Sequence, residues 1–84
     1  MVLTVNSVNK DTQCIISKDQ NLDGQKWKII KNGNSYIILS KLNGWVLDIK
    51  GGILKSGSII QCHQYNNTSA QNFILIQNPY NIVN

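Results

Sequence analysis

The stretch "AQNFIL", residues 70–75, sets Gln71 two positions before an aromatic, Phe73, and then runs into apolar residues. The stretch "GQKWKII", residues 24–30, does the same with Gln25 and Trp27. The two glutamines stand 46 positions apart in a chain of 84. A motif written twice at a spacing of roughly 20–50 residues marks units that cannot bury a core alone and pack against one another.

Working outward, Val2-Leu3 lines up with Val46-Leu47, Gln13-Cys14 with Gln61-Cys62, and Gln25 with Gln71. In this alignment the first copy is four residues shorter between its Leu and its middle Gln, and two longer from there to its closing Gln. Both differences fall in turn regions, where length changes are tolerated. The end of the chain, "PYNIVN" (79–84), parallels "SYIILS" (35–40) as the opening of a further copy. The expected organisation is a single domain over 1–84, with repeats at about 2–30, 31–78 and 79–84.

The local texture is all-β. "SYIILS", "WVLDI", "SIIQCHQY" and "NFILIQ" are short runs rich in Ile, Val, Leu and Tyr, separated by Gly, Asn and Ser turns. Alternation in "WVLDIK" predicts Trp45, Leu47 and Ile49 on one face and Val46 and Asp48 on the other. No amphipathic helix longer than a turn is expected. Short strands at this spacing point to a barrel or sandwich.

Composition narrows the function. The net charge of +4 comes from lysines scattered singly between Lys10 and Lys55, with no Arg among them. Nucleic-acid binding calls for a basic patch or run interleaved with aromatics or Arg, and none is present. No apolar stretch approaches a membrane span, and the start "MVLTVNSVNK" lacks the basic and apolar regions of a signal peptide. Cys14, Cys62 and the single His do not have the spacing of a zinc set, so no metal or cofactor is expected. No carboxylate pair or triad partner suggests catalysis. The richness in Asn, Ile and Lys suggests an AT-rich bacterial genome.

The middle copy, "YIILSKLNGWVLDIKGGILKSGSIIQCHQYNNTSAQNF", resembles one repeat of the ricin B-type lectins. The resemblance rests on the Gly-x-x-Leu-Asp-hydrophobic strand, the Gly-containing hairpin, the Gly-Ser-Ile-Ile-Gln strand and the closing Gln-x-aromatic. It is clearest over 36–76 and fainter over 2–30. It implies a β-trefoil, in which three four-stranded repeats close a barrel under a hairpin cap, and a secreted carbohydrate-binding module for galactose-type or similar glycans. Such modules serve as targeting parts of toxins, haemagglutinins or glycosidase complexes. A non-binding assembly subunit with decayed sites is the alternative.

The same resemblance implies a shallow sugar site in the middle repeat. Asp48 would face outward and accept hydrogen bonds from sugar hydroxyls, near Gln61, and His63 would supply a planar ring. Tyr65 would be a second platform, Asn66 or Asn67 would reach in from the loop, and Gln71 would orient Asp48 from behind. The family's Asn before the closing Gln is replaced by Ala70. Gln25, Trp27 and Phe73 are expected to be structural. In the first copy, Thr4 replaces the aspartate and Ile15 the ring, so that site is expected to be lost.

A trefoil needs three repeats, and this chain carries about two. Completion by a homo-oligomer or by a complementary fragment or subunit is therefore expected. The aligned cysteines would sit on different lobes related by a pseudo-threefold axis, too far apart to bridge.

Overall fold

Alternating apolar runs and Gly/Asn turns become six short strands in the computed structural model, which describes residues 1–53 and 55–76. They are β1 (Val2–Thr4), β2 (Ile15–Ser17), β3 (Trp27–Asn32), β4 (Ser35–Ser40), β5 (Val46–Ile49) and β6 (Ile60–His63). The only helical elements among the described residues are three 3-10 turns, Asp23–Gln25, Lys50–Gly52 and Ser69–Gln71.

β1 and β2 form an antiparallel hairpin, and β3-β4-β5-β6 form a four-stranded antiparallel sheet. The β3–β4 hairpin turns tightly through Gly33 and Asn34, with Asn32 opposite Ser35. Gly33 takes φ 62, a conformation glycine adopts without steric cost. On the other side of β4, Tyr36 and Phe73 exchange both backbone hydrogen bonds at 2.8 and 2.9 Å. The residues after Ile76, including the expected strand in "PYNIVN", lie outside the described residues.

The repeat is real, but its register differs from the sequence alignment. Val2, Leu3 and Thr4 pair with Ser17, Ile16 and Ile15, as Val46, Leu47 and Asp48 pair with His63, Cys62 and Gln61. Ile15–Ser17 therefore corresponds to Gln61–His63, and the 46-residue offset then runs unbroken to Gln25 and Gln71. The turns Asp23–Gln25 and Ser69–Gln71 follow the same offset. Gln13-Cys14 thus does not match Gln61-Cys62. The identical Gln-Cys dipeptides drew the alignment two residues out of step. The real length difference is two residues, all of it between the strands of each hairpin.

The core forms where the two units meet. Val5, Cys14, Leu47 and Cys62 are buried, with Leu3, Trp27, Ile38, Leu42, Trp45, Ile60 and Phe73 packed around them. Trp27 also donates its indole N–H to the Leu3 carbonyl at 3.1 Å, so the ring is fixed to its own unit. The predicted alternation in "WVLDI" is overturned on one face. Val46 and Asp48, expected outside, are as buried as Leu47. The reason for Asp48 is that the turn Ser69–Gln71 packs on β5 and covers what would otherwise be its outer face.

The corrected register also explains the cysteines. They are not equivalent residues on separate lobes, because their sulfurs meet at 3.8 Å in the core. Residues 11–14 lie along the outer edge of β6. The Cys14 N–H donates to the Ile60 carbonyl at 2.8 Å, the Cys62 N–H to Thr12 at 3.0 Å and the Asp11 N–H to Cys62 at 2.8 Å. The Cys14–Cys62 hydrogen bond, with burial, pushes the Cys14 thiol well above its ordinary pKa. The same bond lowers Cys62, against the opposing effect of burial.

With Gln13 opposite Gln61, the cysteines are diagonal rather than facing. Diagonal Cα atoms lie about 7–8 Å apart, at or beyond the roughly 7 Å limit for a disulfide. Both thiols are free. A thiol-specific reagent should therefore titrate two thiols per chain in denaturant without reductant, and react far more slowly with the native protein. Fewer than two in the denatured chain would contradict this reading.

Candidate functional site

Each Gln-x-aromatic glutamine holds its unit together from the side-chain amide. Gln71 is fully buried. Its Nε2 donates to Asp48 Oδ2 at 2.9 Å and to the Gln64 carbonyl at 2.8 Å, and its Oε1 accepts the Asn66 N–H at 2.8 Å. Gln25 repeats this geometry. Its Nε2 donates to Thr4 Oγ1 at 3.3 Å, to Ser17 Oγ at 3.2 Å and to the Lys18 carbonyl at 2.8 Å, and its Oε1 accepts from the Gln20 N–H at 2.8 Å. Lys18 and Gln64, and likewise Gln20 and Asn66, are again 46 apart.

Asp48 is the point where the second unit departs from the first. Its Oδ1 accepts a hydrogen bond from Gln61 Nε2 at 3.2 Å and its Oδ2 the one from Gln71. With only 5% of its surface exposed, the carboxylate does not face outward as expected; it forms the floor of a recess. Burying a carboxylate is costly unless hydrogen bonds compensate, and the two amides supply them. An ionised carboxylate has about four acceptor positions, so capacity remains for a ligand donor.

The recess has a volume of about 350 Å³ and is lined by Asp48, Gln61, His63, Asn66 and Ala70, with Ile49, Gly51, Gly52, Thr68 and Ser69 completing the wall. β5 supplies Asp48 and Ile49, the second 3-10 turn Gly51 and Gly52, β6 Gln61 and His63, and the third 3-10 turn with the loop before it supplies the rest. The half-buried His63 ring bonds through Nδ1 to the Asp11 carboxylate. Asp11 is held in place by its own N–H on Cys62 and adopts φ 66. Asn66 turns its side-chain oxygen back to the N–H and hydroxyl of Thr68, at 3.1 and 2.8 Å.

Two expected residues are elsewhere. Tyr65 lines a different cavity, with Ile30, Lys31, Asn32, Ile37, Leu39, Gly44 and Val46. The chain leaves β6 at His63, so strand parity no longer places residue 65. Asn67 is committed to a side-chain amide cluster, accepting from Asn32 Nδ2 at 3.0 Å beside Asn72.

Asp11, Thr68 and Ser69 were not anticipated. Thr68 and Ser69 fall in a polar loop with no distinguishing pattern. Asp11 reaches His63 only because residues 11–14 dock on β6, which no local motif signals.

The equivalent positions of the first unit are filled differently. Its counterpart of His63 is Ser17, not Ile15 as the sequence alignment suggested, and Ser17 Oγ lies 2.7 Å from Thr4 Oγ1. Its counterpart of Ala70 is Gly24, where a Cβ would come within 1.9 Å of the Val5 carbonyl oxygen. That close approach accompanies a 2.9 Å hydrogen bond from the Val5 N–H to the Gly24 carbonyl.

A comparison with protein-family models finds no match, and neither does a search of the curated proteins. Among solved structures, the chain is similar to ThreeFoil, a designed 3-fold symmetric protein, with a TM-score of 0.79 and 19% sequence identity. The alignment covers 83% of this chain and 52% of that one, so the chain spans about half the length of the design. The fold is all-β and of β-trefoil type, with about two of the three repeats in this chain.

Because Thr4 satisfies Gln25 where Asp48 satisfies Gln71, the chain contains its own control for the carboxylate. Asp48→Ala strips the acceptors from two buried amides, at roughly 1–3 kcal/mol for each group left unpaired. Its thermal midpoint should fall by more than about 10 °C at this chain length. Asp48→Thr keeps an acceptor for Gln71 and should lose less than half as much. Equal losses in differential scanning calorimetry would show that the clasp does not depend on the acceptor.

Proposed function

We propose that this chain is a carbohydrate-binding module that takes a galactose-type or similar glycan in the recess above Asp48. The observation that carries the reading is a buried carboxylate at the floor of an open polar recess, oriented by two side-chain amides and flanked by an imidazole. Paired sugar hydroxyls suit such an acceptor, because hydrogen bonds to a charged group are the stronger class. The His63 ring, braced by Asp11, supplies a planar face for the apolar side of the sugar. Gln61 and Gln71 orient the carboxylate, while Asn66 shapes the wall.

The resemblance of the middle repeat to ricin B-type lectins supports the same reading, as does a trefoil fold of the kind used by non-enzymatic binding modules. The one hydrogen bond that the His63 ring makes among the described residues is to the Asp11 carboxylate. The setting we infer is a secreted bacterial protein, with the module targeting a toxin, haemagglutinin or glycosidase complex. A single shallow site binds weakly, and avidity comes from several copies.

The first unit favours a second reading, an assembly subunit whose sites have decayed, since Thr4 and Ser17 stand where the second unit has a carboxylate and a ring. A glycan array presenting galactosides and xylans separates the two. The expected result is binding that weakens at least about fivefold, or roughly 1 kcal/mol, in His63→Ala. It should disappear in Asp48→Thr, a variant whose clasp is retained. An array inert to the native chain favours the assembly subunit, and binding unaffected by both substitutions removes the glycan from this recess.

A further inference from the structure

The two units have equivalent strands in unequal surroundings. Cys62 in β6 is 0% exposed, while its counterpart in β2, Ile16, is 65% exposed. The next pair differs in the same sense, Gln61 at 6% against Ile15 at 44%. Thr4 and Asp48, on the partner strands, are equally buried at 4% and 5%. The asymmetry is therefore confined to one edge. On β6 that edge is covered by residues 11–14 of the preceding unit, through the backbone bonds of Asp11, Thr12 and Cys14. Among the described residues nothing comparable lies along β2, and its apolar Ile16 faces outward.

We propose that the outer edge of β2 is the docking site for a single trefoil repeat, which lays its counterpart of residues 11–14 along Ile15–Ser17. By analogy with Cys62, the incoming strand would accept the Ile16 N–H and donate to the Ile16 carbonyl, and its side chains would cover Ile16. Main-chain pairing of this kind supplies affinity at an open sheet edge. ThreeFoil, a 3-fold symmetric protein of which this chain matches 52%, shows that the fold accommodates three such units.

Symmetry also identifies what the occupant is not. Suppose a second intact copy placed its second unit in the third position. Its first unit would then coincide with the second unit of the acceptor. Placing its first unit there instead drives its second into the acceptor's first. Two intact copies cannot close one barrel, so the edge calls for a lone repeat.

The test extends the full chain after Asn84 with a second copy of residues 41–76, since "PYNIVN" parallels "SYIILS" in sequence. Hydrogen exchange should slow at the Ile16 amide by at least tenfold relative to the 84-residue chain. Ile16→Asp should lower the thermal midpoint of the extended chain by roughly 5 °C or more and leave that of the 84-residue chain unchanged. An Ile16 amide that exchanges equally fast in both chains overturns the proposal, as does an equal effect of Ile16→Asp on both. Concentration-dependent protection of Ile16 in the 84-residue chain alone overturns the exclusion of intact copies.

Discussion

The structure depends on a side-chain amide, buried in the second unit and half-buried in the first, that bonds at least three partners at once. In each unit the clasp glutamine, itself at the end of a 3-10 turn, ties that turn to the first strand of the hairpin and to the loop after the hairpin. Among the described residues these segments share little backbone pairing beyond the Val5 N–H to Gly24 bond, so the glutamine supplies bonds that a sheet would otherwise provide. A net gain of about 1 kcal/mol per hydrogen bond is modest. The cost of leaving such groups buried and unpaired is larger, and that cost fixes the geometry. The aromatic two positions later can reach the core only because the turn is held in that geometry.

Most strands were legible in the sequence because their runs of Ile, Val, Leu and Tyr are bounded by Gly and Asn turns, but "NFILIQ" forms only a bridge at Phe73 among its described residues. The repeat was legible because the clasp recurs. What failed was the register between those anchors. Gln13-Cys14 imitates Gln61-Cys62, and a dipeptide match carries no information about which residues pair across a hairpin. Cross-strand pairing of Thr4 with Ile15 and Asp48 with Gln61 settles it. The misplacement of Val46 and Asp48 has a similar origin. Period-two alternation reports the faces of a strand, but it does not report that a distant turn covers the outer one. The recess was legible at Asp48, Gln61 and His63, which share one hairpin. It was illegible at Asp11, which arrives from another unit, and at Tyr65 and Asn67, which lie beyond the strand.

Asp48 carries two demands that the first unit separates. As an acceptor for Gln71 it needs only an oxygen, and the hydroxyl of Thr4 meets that requirement for Gln25. A carboxylate adds charge and a second oxygen, which Gln61 then has to satisfy. That additional machinery contributes little to the clasp that a hydroxyl does not. Its presence beside an open recess is the feature on which the proposed ligand reading rests.

The contact of residues 11–14 with β6 links the recess to the way the units stack. The same segment that buries Cys62 brings Asp11 to His63, so the rim of the site is built from two units rather than one. Stacking and site formation are then a single event for the second unit. The first unit, whose β2 edge lacks such a neighbour among the described residues, has Ser17 in place of a ring and Gly24 where a side chain has no room. Its two polar positions, Thr4 and Ser17, bond each other and Gln25 instead of facing a cavity. One unit has thus put its polar groups into holding itself together, and the other keeps acceptor capacity free above Asp48.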